Sequence, residues 1–223
     1  MKIWTLKTDN SEIGSIYITT EQEALYYTEL FDKRFYTQKA IRENWTDTLI
    51  YNLPDSDFSK FIFSGKEFWI CSEKAKQFIS PLLKKNVEFL PLIHREQVRK
   101  KISYHKQLFR RKIYKPLLEM MPDAPHYLLN ILDIKPLNII DLEKSILRYD
   151  DKKDTIYRVD KLAFDPHKTE NAHLFKIDYS NTYFRSATFV SDEFRQAVEQ
   201  NHLTGLKFSE AHEDEGGNLI WQS

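Results

Sequence analysis

The chain has 223 residues, of which 41% are hydrophobic and 30% charged, a globular balance that excludes disorder and collagen-like repeats. A single cysteine, Cys71, excludes an internal disulfide framework and a cysteine-rich zinc site, and five glycines are too few for a P-loop or a GxGxxG fingerprint. No apolar run approaches the roughly 18 residues of a membrane span, and the opening MKIWTL lacks a signal-peptide plan, so a cytoplasmic protein without a membrane partner is expected.

In chain order, Lys2–Leu6 and Ile16–Thr19 read as strands. Thr20 and Glu23 form a capping box that predicts a helix through Phe31. Thr48–Leu53 is a strand ended by Pro54. Phe68–Cys71 is a short apolar strand, followed by a helix with Ala75, Phe78 and Ile79 on one face and then by a strand at Val87–Leu90. Residues 95–115 hold nine basic side chains and one acid, Glu96, with apolar residues at near-helical steps. Pro116, Pro122 and Pro125 bracket a boundary between two expected halves, 1–121 and 122–223. Beyond it come Tyr127–Leu132, then Ile146–Tyr149 and Thr155–Phe164 joined by the polar turn Asp150–Asp154, then Leu174–Ile177 and Phe184–Val190. A final helix and strand precede an acidic, glycine-containing tail from Ala211. The expected class is α+β with a mainly antiparallel sheet.

Two segments repeat at an offset of 119 residues: about 68–90 and 188–208. Ser72 aligns with Ser191, each placed to cap a helix whose first turn carries carboxylates. Gln77 aligns with Gln196, Ile79 with Val198 and Phe89 with Phe208. Asn86 aligns with Gly205, the two residue types that best tolerate a left-handed backbone. Each copy is a strand–helix–strand module. The repeat is a statement about fold and supplies no chemistry.

Charge sums to zero, yet residues 61–140 carry 15 basic against 7 acidic side chains, with acidic excess on either side. The basic stretch 95–115, with Tyr104, Phe109 and Tyr114 among its charges, could grip phosphates or an acidic protein surface; a solvated amphipathic helix is the simpler reading. Whole-chain neutrality counts against nucleic acid as a partner. A search for catalysis finds little. Asp57, Asp133, Asp141, Glu143 and Asp160 have no spacing that carries a mechanism, and caps, turns and ion pairs account for them. Cys71 beside a helix N-terminus, with His94 or His126, could make a nucleophile, but a lone cysteine in an apolar strand is more often simply packed, and its repeat counterpart is Val190. The seven histidines show no HExxH spacing, and His167 and His173 with Asp165 and Glu170 read as a solvated loop rather than a metal site. No catalytic residue, metal or cofactor is assigned.

The segment His173–Phe208 resembles the C-terminal signature of a bacterial immunity protein family, the one numbered eleven, with its "hLF+I" strand and "VSDxhxxAhxxxxLTGhxF" pattern (h apolar). Tyr127–Ile131, Asp141–Ser145 and Lys161–Phe164 are similar to further elements of that family, as are Trp45, Asp57-Phe58 and Ser72–Leu92 in the first half. The basic stretch 95–115 departs from the pattern and reads as an insertion. The resemblance implies a cytoplasmic, non-enzymatic protein that binds a cognate toxin domain and blocks it stoichiometrically. Candidate partner-binding residues are then Arg99, Tyr104, Arg110, Arg111 and Tyr114 of the basic stretch, or Glu213 and Asp214 of the acidic tail if the toxin is basic. Two other readings remain in view: a nucleic-acid-associated regulator acting through 95–115, and a small hydrolase built on Cys71 or a carboxylate pair.

Overall fold

A computed structural model describes residues 2–8, 15–17, 40–42, 50–52, 56–63, 66–94, 126–151, 156–178, 184 and 187–210. The expected helix at 20–31, the basic stretch and the acidic tail lie outside them. The strands are β1 (Ile3–Thr8), β2 (Ser15–Tyr17), β3 (Ile50–Asn52), β4 (Phe58–Phe63), β5 (Lys66–Ser72), β6 (Val87–His94), β7 (His126–Ile131), β8 (Ile134–Lys135), β9 (Ile146–Tyr149), β10 (Ile156–Lys161), β11 (Leu174–Ile177), β12 (Phe189–Ser191) and β13 (Leu206–Glu210). Two α-helices are described, α1 (Glu73–Leu83) and α2 (Asp192–Gln200). The protein is α+β. One sheet runs β2-β3-β6-β7-β5-β4 and another β13-β1-β12-β11-β8, with a separate β9–β10 ribbon. Among the described pairs only β3–β6 and β8–β11 are parallel.

Each helix starts where its serine sits. Ser72 Oγ accepts from Ala75 N–H at 3.0 Å and Ser191 Oγ from Phe194 N–H at 3.2 Å, satisfying donors that the first turn leaves unpaired. Both serine hydroxyls are used a second time. Ser72 Oγ donates to Asp57 (2.9 Å), and Ser191 Oγ lies 3.0 Å from His173 Nδ1. The exits differ from expectation. The positive φ after α1 belongs to Lys84 (φ 47°), while Asn86 closes a 3-10 turn and takes Leu132 N–H on its carbonyl at 2.8 Å. After α2 the chain turns at His202 (φ 50°), and Gly205 (φ 95°) makes a second turn. At Gly205 a Cβ would sit 2.0 Å from the Phe58 carbonyl oxygen, so the glycine is demanded by a close backbone approach as well as by its conformation.

The repeat is larger than a strand–helix–strand unit. β5 and β6 are both antiparallel to β7, which lies between them, and β4 pairs with the outer side of β5. β12 and β13 are both antiparallel to β1, and β11 pairs with the outer side of β12. Both sheets therefore contain the same four-stranded split β-α-β unit, ordered β6-β7-β5-β4 and β13-β1-β12-β11. The central strand comes from a different part of the chain in each. β7 follows the rest of its unit in sequence, and β1 precedes the rest of its unit, with β2 to β10 in between. The expected division at 121/122 thus follows neither sheet, because each half lends the other an interior strand.

Equivalence extends to side chains. Tyr127 pairs with Cys71 and Trp4 with Val190, and Cys71 and Val190 are 119 apart. The Tyr127 hydroxyl donates to Glu73 in a short hydrogen bond, and Trp4 Nε1 donates to Asp192 at 2.9 Å. The Lys76 ammonium lies 3.8 Å from the Tyr127 ring centre and the Arg195 guanidinium 4.3 Å from that of Trp4. Glu73 and Asp192, and likewise Lys76 and Arg195, are again 119 apart. Each unit thus locks its helix to its central strand with one carboxylate, one aromatic ring and one cation. Trp69 and Thr188, also equivalent, hydrogen-bond to each other at 3.0 Å where the two copies meet.

Both helices share one core, in which Trp4, Leu6, Phe58, Trp69, Cys71, Ala75, Ile79, Tyr127, Leu129, Val190, Phe194 and Val198 are buried. A second core lies on the other face of the β1-containing sheet, around Ile3, Ile156, Val159, Phe175, Ile177 and Phe189, with Phe164 edge-on to Phe175 and Phe189. The β9–β10 ribbon covers that second core.

Candidate partner-binding surface

Asp141-Leu142-Glu143-Lys144-Ser145 builds the base of the ribbon. Asp141 Oδ1 accepts the N–H groups of Glu143 and Lys144, each at 3.2 Å, and Asp141 Oδ2 takes the Lys144 ammonium at 2.8 Å. The Lys144 hydrogen bond holds the Asp141 carboxyl below its ordinary range. Ser145 Oγ accepts from Ala163 N–H (2.9 Å) and donates to the Ala163 carbonyl (3.2 Å), tying the turn to the strand that leaves the ribbon. Such side-chain bonds fix a turn that its backbone alone leaves loose.

The tightened turn leads into β9, which pairs antiparallel with β10 with two register shifts, at Ile156/Arg158 and at Val159/Lys161. Ile156 and Val159 face the second core, with Leu147 packed against it. Leu142 (63% exposed), Ile146 (50%), Tyr149 (40%) and Tyr157 (59%) face water, and among the described residues only Phe78 joins them as an exposed large hydrophobic. Arg148, exposed, and Arg158, half-buried, converge on Asp160 at 2.7 and 2.5 Å and hold its carboxyl below the usual range, the Arg148 hydrogen bond contributing most. The ribbon therefore presents tyrosines, aliphatics and arginines on a braced two-stranded element, the residue types that anchor protein interfaces.

The residues singled out from sequence fall elsewhere. Arg99, Tyr104, Arg110, Arg111 and Tyr114, with Glu213 and Asp214, lie outside the described residues. Ser72, Asn86, Ser191 and Gly205 lie at the ends of the two helices. Sequence reasoning passed over the ribbon's exposed side chains. The available signal was the alternation in Ile146–Tyr149 and Ile156–Lys161, where a one-sided strand pair leaves apolar residues on the wrong side.

The groups that could carry chemistry are otherwise engaged. Cys71 is fully buried and burial pushes its thiol well up, the reverse of what a nucleophile needs. Asp57 receives Thr204 N–H (3.0 Å), the Ser72 hydroxyl and Lys74; although burial opposes it, these partners bring its carboxyl below the ordinary range. Asp133 pairs with Lys135 at 2.9 Å. His173 is committed to Ser191, and His167 lies in the turn begun by Asp165. Among the described residues no group of three His, Cys, Asp or Glu is placed to hold a metal, and no helix is long and apolar enough to cross a membrane. One buried cation remains. Lys176 on β11 is 1% exposed, its ammonium donates to the Glu67 carbonyl of β5 at 3.3 Å, and burial lowers its pKa to about 7.

Residues 117–213 match the model of an immunity protein family, Imm11. The matched stretch, a little under half the chain, runs from before β7 through β13 and includes the whole ribbon. No curated protein matches the chain.

Proposed function

We propose that this protein is a cytoplasmic immunity protein that neutralises a cognate bacterial toxin domain by binding it one to one, without chemistry of its own. The observation that carries the reading is the match of residues 117–213 to the immunity family. In support of inhibition by contact, the matched stretch holds the braced ribbon with its exposed tyrosines and aliphatics and its arginines, while the candidate nucleophile Cys71 is fully buried, which pushes its thiol pKa up. The toxin meets Leu142, Ile146, Tyr157 and Arg148 as anchors, and the basic stretch around Arg99, Arg110 and Arg111 or the acidic tail at Glu213 and Asp214 supplies steering.

The test is a co-expression rescue. The toxin domain encoded beside this gene is induced in a sensitive host with and without this protein, and the two are then co-purified. Rescue together with a 1:1 complex is expected. Tyr157→Ala and Leu142→Ala are expected to weaken the complex at least tenfold while leaving the melting temperature unchanged, since both side chains are exposed. Loss of rescue on Arg110→Glu/Arg111→Glu with no effect from the ribbon variants would move the interface to the basic stretch. Absence of both rescue and complex, with duplex binding that falls steeply as salt rises, would replace the reading with nucleic-acid association.

A further inference from the structure

The β13-β1-β12-β11-β8 sheet has an interior strand that the chain delivers from its other end. β12 and β13 do not pair with each other; each pairs with β1. Without β1 they would bound an open slot, with unpaired backbone donors and acceptors on both walls. The strand is read along its whole length. Ile3, Trp4 and Thr5 stand opposite Ser191, Val190 and Phe189, and Trp4 through Thr8 stand opposite Glu210 through Leu206. Further bonds run from Leu6 N–H to the Thr188 carbonyl (2.9 Å) and from Asp192 N–H to the Lys2 carbonyl (3.1 Å).

Side chains alternate between the two faces as a strand requires. Trp4 and Leu6 enter the core shared by the helices, and Ile3 enters the core beneath the ribbon. The Trp4 indole is fixed by Asp192 through Nε1 and by Arg195 over its face. The matched segment 117–213 contains β11, β12 and β13 but lacks the strand that joins β12 to β13.

We propose that the slot between β12 and β13 is a peptide-binding site for an extended apolar strand, that Ile3–Thr8 fills it in cis, and that the same segment of a second copy can take its place. Recognition has two parts: backbone ladders on both sides, and a deep seat for Trp4 that sets register. Donation in cis is favoured by the high effective concentration of a tethered strand, so exchange shows once the tether is cut.

The experiment uses the full-length protein with a protease site placed within residues 9–14 and cut after purification. The released N-terminal peptide is expected to co-elute with the remainder on size exclusion. A fluorescent synthetic peptide of residues 1–9 should enter the cut protein and be excluded from the uncut one. The Trp4→Ala peptide should bind at least tenfold more weakly. Loss of the peptide from a cut protein with unchanged circular dichroism would overturn the proposal, as would equal binding of the Trp4→Ala peptide. Should cutting unfold the protein, hydrogen exchange on the intact chain decides. Amides of Ile3–Thr8, Phe189–Ser191 and Leu206–Glu210 should then open together and faster in Trp4→Ala, with those of β4 and β5 less affected. Opening of β1 that leaves Leu206–Glu210 protected would refute the slot.

Discussion

At the scale of single residues, two backbone positions have opposite needs. Gly205 combines a φ of 95° with a Cβ position 2.0 Å from the Phe58 carbonyl oxygen, so Gly205→Ala is strained in conformation and in space. A loss of roughly 2–4 kcal/mol is expected in denaturant unfolding. Lys84 holds φ 47° and ψ −122°, a region where a side chain is disfavoured, so Lys84→Gly is expected to stabilise by about 1 kcal/mol in the same assay. Lys176 makes a pH prediction. Its pKa is about 7 in the folded protein against an ordinary 10.5, so between those values the unfolded chain binds the extra proton. Stability therefore rises with pH from about 7 towards 10.5, and its Lys176 component is lost as pH falls back through 7. Lys176→Met removes the charge while keeping the length, so unfolding curves of this variant should lack that part of the slope. An unchanged slope would show that Lys176 keeps its proton when folded.

At the scale of elements, helix starts were legible and strand partners were not. Ser72 and Ser191 act within three residues of themselves, so a local rule finds them. The strands Leu174–Ile177 and Ile146–Tyr149 match their sequence signals residue for residue. Phe58–Phe63 has no counterpart among the strands read from sequence, whereas β4 is held by pairing with β5. The strand expected from Phe184 begins at Phe189, since Phe184 turns inward to the ring cluster around Phe189. Asn86 was credited with a left-handed exit that Lys84 makes, because α1 ends two residues earlier, after Pro81. At the base of the ribbon, Ser145 carries both bonds to Ala163, so Ser145→Ala leaves a donor and an acceptor without that partner. A loss of about 1–2 kcal/mol is expected by thermal unfolding. If the ribbon is the docking face, toxin affinity should fall as well, because the turn that carries Leu142 loosens.

At the scale of the whole molecule, reciprocal strand exchange makes the two units interdependent. β1 lies inside the sheet formed by the second half and β7 inside the sheet formed by the first, so neither half closes its own core. A single unfolding transition is therefore expected for the described units, with tryptophan fluorescence and far-ultraviolet circular dichroism coinciding. Two separated transitions would mean that the halves stand alone. Trp4→Ala removes a side chain that packs against α2 and lines the shared core, and should cost about 3–5 kcal/mol. The sequence by itself determined what local chemistry controls: the α+β class, the serine caps, the 119-residue repeat and the resemblance to an immunity family, since periodicity, capping and motif spacing are written in neighbouring residues. It left the candidate binding residues in stretches 95–115 and 211–223, both outside the described structure. Only the tertiary structure decided that the repeat is a four-stranded unit and that each unit borrows its central strand from the other half of the chain. It also decided that the ribbon carries exposed tyrosines and arginines. Those outcomes depend on pairings between residues as far apart as Trp4 and Glu210, and no window on the chain contains both partners.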